Sequence, residues 1–166
     1  MPPNLPPQKK KLAIDLTLVP PNTTIYMSFQ GVIKLDSTKA DGIDVRYSID
    51  NGNTWTTIVG SPDSVNWYFS NDTVQQLAYQ VNLGSSQYWD TLANAVGFFG
   101  YWVSPGAVWL PYSTALPSNV AGNVLLIRFQ LSSDFSITNK GILIDDFNIS
   151  TRNASKNQVF CMHFVS

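Results

Sequence analysis

Cysteine is almost absent from the sequence, which has Cys161 alone among 166 residues. This excludes an internal disulfide framework and a zinc site built from cysteines, and it permits a reducing compartment. Charge is also scarce, because charged residues make up 13% of the chain and the net charge is −1. Without an extended basic surface for phosphate groups, we expect no nucleic acid as a partner. Hydrophobic residues make up 44% of the chain, enough for one sizeable core, and the length favours a single domain.

The N-terminal sequence MPPNLPPQKKK has no apolar run typical of a secretory signal peptide. If Met1 is the natural start, we expect a chain made in the host cytosol that leaves it only inside a particle, as a virion protein; an extracellular location is the alternative. Proline excludes a helix or an inner strand here, so residues 1–11 are predicted to form an extended arm. We expect the arm to bind a neighbouring subunit, the alternative being an arm folded back on its own domain. The arm residues expected to bind are Pro2, Pro3, Leu5, Pro6, Pro7, Lys9, Lys10 and Lys11.

Residues 12–166 contain alternating, β-branched segments separated by Gly, Pro, Asn and Ser clusters. The segment GIDVRYSID predicts a half-buried strand, with Ile43 and Val45 on one face and Asp44 and Arg46 on the other. Together the segments predict an all-β, antiparallel sandwich in one domain. The other predicted strands are LAIDLTLV, TTIYMSFQGVIKL with a bulge at Gly31, TWTTIV, LAYQVNL, NVLLIRFQL, GILIDDFNI and VFCMHFV.

No charged residue occurs between Thr91 and Ile127. Polar residues and prolines interrupt this stretch, so we expect no membrane insertion. Residues 84–122 are predicted to form a long, aromatic-rich insertion. A short helix is predicted at its start, with Ser85 or Ser86 as N-cap and Gly97 as its end.

The segment SIDNGNTW runs from Ser48 to Trp55 and predicts a hairpin turn, because Asn-Gly readily takes positive φ at both central positions. The segment resembles the Asp-box hairpins of sialidase propellers, reelin repeats and several secreted β domains. The resemblance implies a structural role, in which Asp50 caps backbone amides, Gly52 takes a conformation costly for other residues, and Trp55 packs beneath the turn.

A second segment, NVLLIRFQLSSDFSITNKGILIDDFNIS, resembles the late strands of MAM-like, reelin-like and carbohydrate-binding jelly rolls. The resemblance implies a jelly-roll sandwich and a structural calcium site on the Ile-Asp-Asp strand. Its expected ligand is Asp146, helped by Asp36, Asp41 or Asp44, because calcium prefers oxygen donors. Alternation is expected to point Asp145 and Asp146 to opposite faces. A solvated carboxylate pair is the alternative, and no cofactor is expected to be required.

Four aromatic residues around the Ser-Pro-Gly turn of the predicted insertion are expected to lie near the surface. They are Tyr101, Trp102, Trp109 and Tyr112. Such rings stack on sugars or anchor protein interfaces.

Catalysis finds little support in the residues. A sialidase needs several Asp boxes and an arginine cluster, whereas this chain has one box and three arginines. Cys161 and His163 fall on the same face of a predicted strand, but a hydrolase needs further groups to orient the base and hold an oxyanion. The leading hypothesis is therefore a non-enzymatic structural or interaction protein of a bacteriophage or virus particle, such as a capsid decoration, head-fibre or tail-associated protein. The alternative is a carbohydrate-binding module of a secreted enzyme or adhesin.

Overall fold

A computed structural model of the protein describes residues 11–35, 42–72, 96–98, 108–132, 141–153, 156–159 and 163–165. Within these ranges the chain forms nine strands and one short 3-10 turn, Ser118–Val120. In chain order the strands are β1 (Lys11–Asp15), β2 (Ile25–Lys34), β3 (Gly42–Ser48), β4 (Thr56–Thr57), β5 (Leu110–Ala115), β6 (Val124–Ser132), β7 (Gly141–Asn153), β8 (Lys156–Val159) and β9 (His163–Val165).

The strands form two antiparallel sheets. Sheet A has five strands in the order β4-β3-β6-β1-β9, and sheet B has four in the order β5-β2-β7-β8. Bridges from Ile43 to Phe98 and from Val65 to Ser113 add pairing outside the named strands. The predicted all-β antiparallel sandwich is confirmed, whereas its jelly-roll connectivity stays a prediction.

One hydrophobic core lies between the inner faces of the sheets. Sheet A contributes buried residues such as Ile14, Val45 and Leu125, and sheet B contributes Met27 and Ile149. Each such side chain stabilises the fold by about 1.5–3 kcal/mol through burial. Because side chains alternate along a strand, the residues between these core positions point to the outer faces of the sheets.

Aromatic rings fill a large part of this core. The rings of Phe29 and Tyr112 are stacked with centroids 5.1 Å apart, and Tyr68 meets Phe98 edge to face at 4.7 Å. Trp67 contacts both Tyr68 and Phe98. Edge-to-face and offset arrangements suit the ring quadrupole, so these contacts add to the burial of area.

The prediction that β3 is half buried was wrong. Every residue from Gly42 to Ser48 is buried, including Asp44 and Arg46 on the face away from the core. Alternation correctly separated the two faces, but a polar face does not have to meet water. In this strand Arg46 and Asp44 form an ion pair with each other, which lets both be covered.

The described part of the predicted insertion, residues 84–122, contributes to both sheets. Phe98 bridges Ile43, and β5 pairs with β2 from Tyr26 to Gly31 as an integral strand of sheet B. Strand β5 was not predicted from the sequence, because it is short and contains a proline and so gives a weak strand signal. The predicted helix, except for its last two residues, and the predicted strand at residues 77–83 lie outside the described residues.

The two described ends of the segment VFCMHFV lie in different sheets. Strand β8 ends at Val159 in sheet B, and β9 begins at His163 in sheet A. A short apolar run looks the same in sequence whether its ends pair in one sheet or in two, so the sequence could not distinguish these arrangements. Cys161 lies outside the described residues.

The predicted bulge at Gly31 lies elsewhere. Gly31 pairs in register with Leu110 and Ile144. The irregularity falls between Ser28 and Gln30, where β7 has two residues opposite Phe29. Gly31 is instead a place of close packing, because a Cβ there would lie 3.1 Å from atoms of the Phe29 and Tyr112 rings.

Candidate functional site

The turn between β3 and β4 is held by a network around Asp50. One carboxylate oxygen accepts from the Thr54 amide at 2.9 Å and from the Ser48 hydroxyl at 2.7 Å, and the other accepts from the Thr54 hydroxyl at 2.6 Å. Ser48 Oγ in turn accepts from the Gly52 amide at 2.9 Å. These bonds, led by the Thr54 hydroxyl, lower the pKa of Asp50 from 3.8 to about 2.

The backbone of this turn matches the Asn-Gly prediction. Asn51 has a φ of 60° and Gly52 a φ of 86°, and the Asn53 amide donates to the Asp50 carbonyl. Positive φ at both central positions is typical of a type I′ turn, which suits the twist of a hairpin.

Trp55 lies against this turn, with its indole Nε1 donating to the Gly52 carbonyl at 3.1 Å. The Arg128 guanidinium lies 4.3 Å from the centroid of the Trp55 ring. Such a contact is a cation-π interaction. The predicted residues Ser48, Asp50, Gly52 and Trp55 are thus brought together, and their polar groups are used in shaping the corner. Membership of an Asp-box family stays a prediction.

The acidic residues expected to share a calcium ion are not brought together where they are described. Asp44 is fully buried in sheet A, where Arg46 Nε donates to one of its oxygens, whereas Asp146 lies in sheet B. Burial raises the pKa of Asp44, and the Arg46 guanidinium opposes this shift. The Asp44 carboxylate is already paired with Arg46, and the calcium site stays a prediction. Asp36 and Asp41 lie outside the described residues.

Asp145 and Asp146 do not alternate between faces as predicted. Asp145 and Asp146 are both exposed, and Asp146 has a φ of 50° and lies in the β7 bulge. The Asp146 amide donates to Asp145 Oδ1 at 2.8 Å. A bulge inserts one residue without a partner, which breaks the alternation at that point. Among the described residues, no group of three or more His, Cys, Asp or Glu is placed to hold a metal ion.

The outer face of sheet B carries an apolar row formed by Val32 of β2, Leu143 of β7 and Trp109, the residue before β5. Val32 pairs with Leu143, and Trp109 immediately precedes Leu110, the partner of Gly31, so its backbone lies beside Val32. Leu143 is 58% exposed and Trp109 45%, while Val32 between them is buried. We call these three residues the apolar row.

The neighbouring positions on this face are mostly polar. Gln30 pairs with Asp145 and with Pro111 in the first row beyond the apolar row. The next row joins Ser28 with Asn148 and Ser113. These groups offer hydrogen-bond donors and acceptors and little charge, beside one partly exposed indole.

Of the four aromatic residues predicted near the surface, two are described, and they differ. Trp109 is 45% exposed, as expected, but Tyr112 is 1% exposed, and the prediction for it was wrong. Tyr112 lies on the inner face of β5, where its ring stacks on Phe29. Its position follows from alternation, since an odd number of steps separates it from Trp109. Tyr101, Trp102 and arm residues 1–10 lie outside the described residues, and of Lys11 the strand placement alone is described.

Sequence reasoning missed Leu143 as a surface residue and Val32 as its pairing partner on the same face. Leu143 lies between Ile142 and Ile144, and both of these pack against the core. Three successive apolar residues on a strand cannot all face one side, so one of them had to face outward. The run Ile142-Leu143-Ile144 was therefore the sequence feature that could have predicted an outward-facing apolar residue.

No helix among the described residues has the length and apolar character needed to cross a membrane. No protein-family model matches the sequence, and no curated protein is significantly similar to it.

Proposed function

We propose that this protein is a non-catalytic interaction module of a larger assembly and that it binds a protein partner through the apolar row. The observation that carries the proposal is the exposure of Trp109 and Leu143 on either side of Val32 on the outer face of sheet B. Exposed apolar residues grouped on one face mark contact surfaces more often than scattered ones do.

The chemistry of the row fits a protein interface. Tryptophan is enriched at the energetic centre of interfaces, where one large ring gains from the removal of water. The polar positions at Gln30 and Asp145 lie beside the row, as the hydrated rim of an interface lies around its apolar centre. A face built this way suits a partner that covers the row and leaves the rim wet.

The assembly we propose is a bacteriophage or virus particle, with the N-terminal arm as a second contact. The support comes from the sequence, where four prolines and three lysines precede and begin β1. A proline-rich segment has little conformational freedom to lose when it binds along a neighbour. A module with two contacts would hold its partner more firmly than either contact alone.

A carbohydrate-binding module is the second candidate, and the same face supports it. Trp109 offers a ring for the apolar side of a sugar, and Gln30, Asp145 and Asn148 offer hydrogen bonds to hydroxyl groups. Structural calcium on the Ile-Asp-Asp strand would belong with this candidate, with Asp146 as its ligand. Binding of the chain to immobilised glycans, lost in Trp109→Ala, would select it.

Crosslinking in the source material tests the leading proposal. The intact chain is mixed with extract or particles, treated with an amine-reactive crosslinker, and the crosslinked peptides are identified by mass spectrometry. We expect crosslinks from Lys9 or Lys10 of the arm and from Lys34 of β2 to one partner. Lys34 is the described lysine on the strand that carries Val32.

The matched controls are two full-length variants. Trp109→Ala removes the indole of the apolar row, and Leu18→Ala removes a side chain that is 95% exposed in the turn after β1. Loss of the crosslinked partner in Trp109→Ala alone supports the proposal. Equal recovery with both variants would contradict it.

A further inference from the structure

Asn51 and Gly52 form the sole Asn-Gly pair of the sequence, and they lie at the tip of the β3–β4 hairpin. An Asn-Gly pair can modify itself without an enzyme. The Gly52 backbone nitrogen loses its proton and attacks the Asn51 side-chain Cγ, closing a succinimide ring and releasing ammonia. Water then opens the ring to aspartate or isoaspartate. Glycine permits this attack because no side chain shields its nitrogen.

Asn51 is exposed, so water and base reach it, but its neighbour nitrogen is not free. The Gly52 amide donates to Ser48 Oγ at 2.9 Å. Attack requires that this hydrogen bond breaks and that the nitrogen turns toward Cγ. The bond therefore opposes the first step of the reaction.

The backbone around Asn51 is fixed as well. The Thr54 amide and hydroxyl both donate to Asp50, and the Asn53 side chain donates to the Asp50 carbonyl at 2.8 Å. These bonds hold Asn51 and Gly52 at positive φ. A ring closure that rearranges this turn has to break several of them at once.

We propose that Asn51-Gly52 is a latent deamidation site which Ser48 and Asp50 keep unreacted in the folded protein. The proposal does not depend on the proposed function. Once the ring forms, the turn cannot be restored by isoaspartate, because its extra backbone methylene changes the spacing that the Asp50 network needs. Transient breaking of these hydrogen bonds can therefore lead to an irreversible covalent change in the hairpin.

Peptide mapping by mass spectrometry during incubation of the full chain at mildly alkaline pH tests the proposal. We expect Asn51 to react several-fold more slowly in the native protein than in the same chain unfolded in guanidinium chloride. Ser48→Ala should raise the native rate roughly threefold to tenfold, since one hydrogen bond is worth up to about a factor of ten in rate.

Two controls separate local protection from general unfolding. Asn53, followed by the β-branched Thr54, provides an internal comparison in every sample. Tyr68→Phe destabilises the core and leaves the Ser48 bond intact, so it should react at the native rate while folded. Equal Asn51 rates in native and unfolded protein would overturn the proposal. An unchanged rate in folded Ser48→Ala, or an equal rise in folded Tyr68→Phe, would overturn it too.

Discussion

The phenol oxygen of Tyr68 takes the place of a neighbouring strand at Val45. It accepts a hydrogen bond from the Val45 amide at 2.9 Å and donates to the Val45 carbonyl at 3.2 Å, 23 residues away in sequence. The Ile58 amide also donates to the Val45 carbonyl, at 2.8 Å, and Phe98 pairs with Ile43, two residues earlier on β3. The free edge of β3 is thus closed by three separate segments, and burial raises the pKa of the Tyr68 hydroxyl.

Removal of this hydroxyl tests the role of Tyr68. Tyr68→Phe keeps the ring in the aromatic core but leaves the buried Val45 amide without its acceptor. We expect a loss of about 1–3 kcal/mol in the free energy of unfolding, the usual cost of an unsatisfied buried group. Chemical denaturation measures this loss, and an unchanged m-value would show that the surface exposed on unfolding is the same in both proteins.

Tyr47→Phe is the matched control, because the same atom is removed. The Tyr47 hydroxyl bonds to the exposed Asn119 side chain at 3.3 Å, and water can replace that contact. We expect a smaller loss than for Tyr68→Phe. Equal losses would show that the bond to Val45 has no special weight.

The buried ion pair gives a second prediction. Arg46→Met keeps an unbranched side chain but removes the guanidinium, which leaves the Asp44 carboxylate in a buried position without the arginine that pairs with it. We expect destabilisation by about 3–5 kcal/mol. The double variant Asp44→Leu with Arg46→Met should recover much of this loss, since apolar residues fill the same space without a charge. A double variant less stable than Arg46→Met would refute this account of the pair.

Asp50 gives a prediction for pH. Its pKa in the folded protein is about 2, below the ordinary value of 3.8. Because the folded pKa is the lower one, the contribution of Asp50 to stability is complete above its unfolded pKa. It is lost as the pH falls through the folded value. Denaturation curves from pH 5 down to about pH 2 should therefore show the wild type approaching Asp50→Asn in stability. A stability difference that stays constant over that range would contradict the assignment.

Gly31 gives a prediction for packing. An added methyl group would lie 3.1 Å from Phe29 Cε2 and from Tyr112 Cε2, both in buried rings. We expect Gly31→Ala to destabilise the protein by about 1–3 kcal/mol through overpacking, as measured by thermal or chemical unfolding. Ser28→Ala, on the opposite face of the same strand, should change stability little. A larger loss of stability for Ser28→Ala than for Gly31→Ala would show that the two rings can move to make room for the added methyl group.

The features that depend on residues close together in the sequence could be predicted. The Asn51-Gly52 turn and the alternation of β2 follow from local backbone preferences and hydrophobic spacing. The contact between Tyr68 and Val45 could not be predicted in this way, because nothing near either residue in the chain specifies the other. The Asp146 bulge could not be predicted from local sequence either, because it depends on how β7 pairs with β2 around Phe29.

The candidate surface was predictable only in part. Trp109 was expected at the surface, but Val32 and Leu143 join it through strand pairings that are distant in sequence. Tyr112 was misplaced because its strand was taken for an insertion. Once β5 is known, alternation places its ring inward.

The central claim is that the apolar row binds a partner. Its most direct test is the affinity of the crosslinked partner for three full-length chains, measured by titration calorimetry: wild type, Trp109→Ala and Leu18→Ala. We predict at least about tenfold weaker binding for Trp109→Ala, as for a residue at the centre of an interface, and wild-type affinity for Leu18→Ala. Wild-type affinity in the folded Trp109→Ala chain would contradict the account.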